Sequence, residues 1–159
     1  MTASPVRDRD ADSAKRELAR ESLRLCGTIR LKVMGWSMLP SIWPGDTLTI
    51  ESSKWDDVSA GEIVLYERSR GFFIHRVIEK VGSGESAAVR TRGDAMPHAD
   101  APVPRQDVLG TVRIVSRNGK SFAPAKNLRL GDRLVASLAG RWTLAARLVV
   151  GLRWVWQAS

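Results

Sequence analysis

Apolar and polar residues alternate with a period of two through most of the middle of the chain. "TIRLKV" (28–33), "TLTIES" (47–52), "EIVLYE" (62–67), "FFIHRVIEKV" (72–81), "AAVRTR" (87–92) and "VLGTVRIV" (108–115) are short, β-branched or alternating runs separated by Gly, Pro, Asp and Ser. Successive side chains of a strand point to opposite faces, so the pattern predicts a mainly β domain of antiparallel strands over 28–124. "ERSRGFF" predicts a hairpin turn around Gly71, and "VGSGES" a second loop. The two ends follow a helical period instead. Asp12 and Ser13 are cap-type residues ahead of a helix over 12–27, with Leu18, Ser22 and Leu25 on one face and Gly27 as its left-handed stop. Residues 1–11 read as a disordered start. Over 130–157, Leu134, Leu138, Trp142, Ala145, Val149, Leu152 and Trp156 fall on one side of a helical wheel, while Arg133, Ser137, Gly140, Thr143 and Arg147 fall opposite, which predicts an amphipathic helix.

Length limits this to one globular unit with appendages, since 159 residues are enough for one real core and few for two. A single cysteine, Cys26, makes no internal disulfide, so packing alone must hold the fold. Charge changes the picture more. The net +8 divides into +2 over 1–30, −2 over 31–112 and +8 over 113–159, so the basicity belongs to the last third. A nucleic-acid reader carries its positive charge on the folded domain, whereas a basic, Trp-rich amphipathic tail suits the interface of an anionic membrane. The expected partners are therefore a peptide or precursor-protein substrate and an anionic membrane surface, not nucleic acid. The opening "MTASPVRDRDADSAKRELARES" lacks the apolar run of a signal peptide, and Arg141, Arg147 and Arg153 interrupt the most apolar region, 134–156, short of the ~18 uninterrupted apolar residues of a crossing helix. The expected location is the membrane periphery or the cytoplasm.

Chemistry concentrates around "GWSMLPSIWPGD" (35–46), where one serine, Ser37, sits among Gly35, Trp36, Met38, Pro40, Pro44 and a Gly45–Asp46 turn that fix the backbone around it. A serine hydroxyl is a poor nucleophile until a base takes its proton, and the base needs a third group to orient it. The chain has two histidines, His75 and His98; His75 lies in the apolar strand "FFIHRVI" and is followed by the carboxylates Asp94 and Asp100 in "RTRGDAMPHAD". The order serine, histidine, acid differs from the α/β-hydrolase and chymotrypsin-like orders. "GWSMLPSIWPGDTLTI", "AGEIVLY", "FIHRVIEK" and "TRGDAMPHAD", in this order over about 33–115, resemble the boxes of the type I signal peptidase family, in the branch that uses histidine rather than lysine before the arginine, here His75 before Arg76.

The resemblance implies the coiled antiparallel β fold shared by signal peptidases and SOS repressors. It implies a serine endopeptidase that cleaves leader or signal peptides without metal or cofactor. By the same likeness Ser37 is the nucleophile, His75 the general base and Asp100 the orienting acid, with Asp94 supporting the site or sharing the acid's role. A histidine begins near ~6.5 and needs only the right tautomer, where a lysine base must be lowered by about three units to be neutral at pH 7. Met34, Trp36, Met38, Ile42 and Trp43 are the apolar residues available to line a cleft in which an extended peptide pairs with an edge strand. Two features depart from the family pattern: Gly35 stands where many members carry a hydroxyl donor to the oxyanion hole, and an N-terminal membrane anchor is lacking. The alternatives are an inactive peptide- or partner-binding module on the same fold and a self-cleaving, repressor-like regulator, the latter disfavoured by the ~30 residues before the β region, too few for a DNA-binding domain.

Overall fold

Covering both faces of one central strand organises the fold. The structure, a computed structural model, describes residues 5–68 and 71–127. A helix, α1 (Pro5–Cys26), leads into strands β1 (Thr28–Lys32), β2 (Thr47–Glu51), β3 (Ile63–Arg68), β4 (Gly71–Val81), β5 (Ala88–Arg92), β6 (Val103–Pro104), β7 (Val108–Arg117) and β8 (Lys120–Phe122). They form one eight-stranded sheet in the order β1-β2-β7-β3-β4-β5-β6, with β8 beside β7, and every pairing is antiparallel. The mainly antiparallel β fold with a leading helix is as the sequence implied. The expected helix over 130–157 lies outside the described residues.

"IVLY" is a continuous apolar run, the pattern of a strand buried on both sides. In β3, Ile63 and Leu65 enter one cluster with Leu48, Ile50, Val112 and Val115, while Val64 and Tyr66 enter a second with Val77, Val89 and Val103. The same alternation runs through β4. Phe72 and Ile74 pack against the first cluster, and His75 and Val77 are buried toward the second. An unpaired Ile78, where the β4–β5 register shifts between Val77 and Glu79, exposes the rest of the strand.

Helix α1 begins at Pro5 rather than at Asp12, and it overlaps most of the start expected to be disordered. A proline fits the first helical turn because its missing N–H has no partner there in any case, and the following Arg, Asp and Ala residues continue the helix. The stop is as expected: Gly27 takes φ +70° and its N–H donates to the Leu23 carbonyl. The buried face differs, because Leu23 enters the first cluster while Leu18 and Leu25 are exposed. Arg20 of the helix pairs with Glu67 of β3. Among the described residues no helix is long and apolar enough to cross a membrane.

Between β1 and β2, residues 33–46 form the loop that carries Ser37. Its base is closed by Val33 N–H to the Asp46 carbonyl at 2.9 Å and Gly45 N–H to the Val33 carbonyl at 2.8 Å. The Asp46 carboxylate accepts from Trp43 N–H at 2.8 Å and from Arg117 of β7 at 2.9 and 2.6 Å. Burial pushes the Asp46 carboxyl up, but the Arg117 and Trp43 hydrogen bonds and the Arg117 charge outweigh it and hold it below the ordinary carboxylate value. A lowered folded value makes this contribution complete above the unfolded carboxyl's ~3.9, and it is lost as pH falls through the folded value. Asp46→Asn is expected to cost about 1–3 kcal/mol near neutral pH. Urea unfolding checks this: the gap between wild type and variant should hold from about pH 7 to about pH 5 and narrow as the pH falls below about 4, and a gap unchanged down to about pH 2 would show that the carboxylate's charge contributes nothing.

Candidate active site

Two consecutive residues of β4 build the site from opposite faces of the sheet. His75 pairs across β3 with Val64 and is 7% exposed. Its Nε2 lies 3.1 Å from Ser37 Oγ and its Nδ1 lies 2.7 Å from Asp100 Oδ2. A carboxylate oxygen only accepts, so Nδ1 carries the ring proton and the Nε2 lone pair faces the serine hydroxyl. Asp100 reaches the ring because the chain turns back after β5: its N–H donates to the Thr91 carbonyl at 2.7 Å, and Thr91 Oγ1 donates to Oδ2 at 2.7 Å.

Arg76, on the other face, holds Asp94. Its Nε and Nη2 meet the two carboxylate oxygens at 2.8 and 2.7 Å, and Nη2 also donates to Ser41 Oγ at 3.1 Å. Ser41 Oγ in turn donates to Asp94 Oδ2 at 2.5 Å. Nη1 donates to the carbonyls of Gly61, Ala125 and Lys126. Asp94 therefore faces a guanidinium and a serine-loop hydroxyl, and Asp100 faces the imidazole.

Ser37 is positioned by its own backbone. Its carbonyl accepts from Ala95 N–H at 2.9 Å, and Met38 and Ile42 anchor the turn after it, with Ile42 N–H donating to the Met38 carbonyl at 3.0 Å. The Leu39–Pro40 peptide inside this turn is cis. Gly93 lies so close that a Cβ there would sit 2.6 Å from the Ser37 carbonyl oxygen and 3.1 Å from Ser37 Cβ. No hydrogen bond from the Ser37 N–H is made among the described residues.

Five apolar residues were expected to line a cleft, and they separate. Met34, Trp36 and Trp43 are exposed, but Met38 and Ile42 are core residues at 3% and 0% exposure, correcting that expectation. The reason is the turn itself, closed by the Ile42 N–H on the Met38 carbonyl, which brings both side chains, with that of Leu39, to the inner side of the loop. Trp43 donates its indole N–H to the Pro40 carbonyl, and its ring stands 5.7 Å from the Arg117 guanidinium. His98 is exposed and takes no part.

The sequence reading overlooked Tyr66 and Thr91. Tyr66 OH lies 3.1 Å from His75 Nδ1 and 3.3 Å from Asp100 Oδ2, with its ring edge-on to the imidazole. Burial, and then the charge and hydrogen bond of Asp100, push the Tyr66 phenol up to about 12 against the opposing Thr91 hydrogen bond and Arg68 charge. It is therefore a proton donor at neutral pH. A hydroxyl on each buried position of a strand was the available signal, because such a group must find a partner.

The family described as Peptidase S24-like matches residues 8–113, and the chain belongs to that family. The chain is 31% identical over 91 residues to the signal peptidase complex catalytic subunit SEC11 of Metarhizium acridum, an alignment that covers 50% of this chain and 53% of that protein. The SEC11 proteins of Metarhizium robertsii and Colletotrichum graminicola are 30% and 32% identical over the same length, with the same shares covered. The chain thus spans about half the length of the curated relatives it matches, and the resemblance to type I signal peptidases of the endoplasmic-reticulum kind is borne out at the level of family.

Gly93→Ala tests the packing that holds Ser37. The added methyl would meet Met96 Cγ at 2.7 Å, which can swing aside, and the Ser37 carbonyl oxygen at 2.6 Å, which can yield only if the serine loop shifts, so a loss of about 1–3 kcal/mol in denaturant unfolding is expected. A crystal structure of the variant should show Ser37 moved away from His75; unchanged stability and geometry would mean the 93–96 turn yields freely.

Proposed function

We propose that the protein is a serine endopeptidase of the signal-peptidase type that cuts leader or signal peptides at a membrane surface. What supports this is one observation, the unbroken line from Ser37 Oγ through His75 Nε2 and Nδ1 to Asp100 Oδ2. On this reading His75 Nε2 takes the hydroxyl proton as Ser37 Oγ attacks the scissile carbonyl carbon. The imidazolium then returns that proton to the leaving amine, and a water deprotonated by the same nitrogen hydrolyses the acyl-serine. Asp100 orients the ring and stabilises its charged form, while Asp94 is a structural acid tied to Arg76. The Ser37 N–H is the donor available to the oxyanion.

An extended peptide would lie along residues 34–36, which lead from β1 to Ser37, with Met34, Trp36 and Trp43 forming its exposed apolar border. The same border suits a lipid interface, and the SEC11 relatives are named as catalytic subunits of a signal peptidase complex. A further subunit and a precursor protein are then the partners. Gly35 favours the second reading, a domain of this fold that holds peptides without cutting them.

A fluorophosphonate separates the two, since it should label wild type and not Ser37→Ala; absence of labelling in wild type supports the binding module. The two acids separate as well. Asp100→Asn should lower kcat by at least about 100-fold with little loss of stability, whereas Asp94→Asn should lose about 2–4 kcal/mol of stability by leaving Arg76 unpaired. Equal effects of the two on kcat in folded protein would contradict this division. A Cβ at Gly35 meets nothing within 4 Å, so Gly35→Ser has room for a hydroxyl beside the oxyanion. It is expected to raise kcat on a soluble peptide by about tenfold or more, and an unchanged or lower kcat would place the donor elsewhere.

A further inference from the structure

The carboxylate oxygen that meets the imidazole carries an unusual load. Asp100 Oδ2 alone receives His75 Nδ1 at 2.7 Å, Thr91 Oγ1 at 2.7 Å and Tyr66 OH at 3.3 Å. Tyr66 and Thr91 lie 1% and 0% exposed, on β3 and β5, the strands that flank β4 on either side. Cross-strand pairing fixes both. Val77 is opposite Thr91 and Phe73 is opposite Tyr66, so both hydroxyls emerge on the face of the sheet that carries His75.

We propose that Tyr66, with Thr91, is a positioning residue that sets the tautomer and the basicity of His75 by donating to the one Asp100 oxygen the ring also uses. This inference rests on the peptidase reading for its kinetic consequence but not for its physical content. The Tyr66 hydroxyl has two acceptors in reach, and the choice between them matters. If it donated to His75 Nδ1, the ring proton would sit on Nε2, which could then accept nothing from Ser37. Donating to Asp100 leaves Nδ1 protonated and Nε2 open. With Nδ1 as close as 2.7 Å to a carboxylate oxygen, only the second arrangement gives both contacts a proton. A phenol held as a donor by burial keeps this arrangement across the neutral range.

Each donor on Oδ2 also draws charge away from the oxygen that stabilises the imidazolium. Other groups do not supply this control. Ser37 of the serine loop is neutral, and Arg76 and Asp94 satisfy one another on the opposite face of β4. Arg68 of β3 is turned onto the carbonyls of Ala101 and Pro102, and His98 of the loop after β5 is exposed. Removing the Tyr66 hydroxyl should therefore make Asp100 a better partner for the charged ring.

The test is nitrogen-15 NMR of the His75 ring in the full chain, which needs no turnover. Wild type should show neutral His75 protonated on Nδ1. In Tyr66→Phe the protonation midpoint should move to higher pH by about half a unit, roughly a threefold change in the equilibrium. Thr91→Val should move it in the same direction, and it serves as the second variant if Tyr66→Phe does not fold. The acid limb of kcat/KM should move with the midpoint in each. An Nε2-protonated ring in wild type, or midpoints unchanged in both folded variants, would overturn the proposal. A shifted midpoint in a protein that cleaves no peptide would keep it and instead refute the peptidase reading.

Discussion

The Arg76–Asp94 pair is the constraint on which the arrangement of the site depends. Arg76 is 12% exposed at its side chain and Asp94 2%, so both charges are taken largely out of water, a cost of several kcal/mol per ion unless geometry and hydrogen bonds offset it. Here they do. The guanidinium meets the carboxylate in a two-point fork and directs its remaining donors to Ser41 and to the carbonyls of Gly61, Ala125 and Lys126. Among the described residues no buried side-chain nitrogen or oxygen lacks a partner. A lysine, with one rotatable ammonium, could not reproduce that planar set of contacts. One side chain thus fastens β4 to the turn after β5, to the serine loop, to the entry of β3 and to residues 125–126. Because His75 is the next residue in the strand, whatever fixes Arg76 also fixes the imidazole.

The two carboxylates near the site are separated by environment as much as by position. Asp94 has its charge matched by a guanidinium and both its oxygens occupied. Asp100 has neutral hydroxyls and an imidazole around it, on a side chain still 22% exposed. Only the second surrounding leaves a carboxylate whose charge is free to respond to a proton arriving on the ring. The sequence likeness favoured Asp100 as the orienting acid and left Asp94 a supporting or shared role. Strand alternation distinguishes them, by turning Arg76 and His75 to opposite faces and giving each one acid.

Other parts were legible in advance to differing degrees, for physical reasons. The six long strands announced themselves by β-branched alternation bounded by turn residues, and each is found within a residue or two of its expected bounds. β6 and β8 are two and three residues long, too short for any periodicity to register. The start of α1 was misplaced because Asp12 and Ser13 look like caps, yet the residues before them are equally compatible with a helix and Pro5 suits a first turn. Met38 and Ile42 were misread for the same kind of reason: apolar residues in a loop give no period, and only the turn between them decides that they point inward. Tyr66 is the instructive omission. Its position in "IVLY" announces burial, and nothing in a one-dimensional pattern reveals that its hydroxyl ends beside a histidine brought in from the next strand.

That omission bears on how a histidine-based site of this kind is built. A lysine base must be stripped of its proton by its surroundings, which calls for an apolar enclosure. An imidazole has a different requirement. It is neutral already, and it has two nitrogens of which only one orientation serves, so the surroundings must choose a tautomer rather than expel a charge. The polar atoms around His75 suit that requirement: Asp100, Tyr66 and Thr91 all converge on the Nδ1 edge, and the Nε2 edge is left to Ser37. Hydroxyls on two flanking strands do this without adding charge, so the carboxylate keeps its reach toward the ring. On the proposed reading, a site arranged in this way tolerates partial exposure, because it works by direction more than by desolvation. The open, apolar-bordered position of the serine loop at the edge of the sheet is consistent with that freedom.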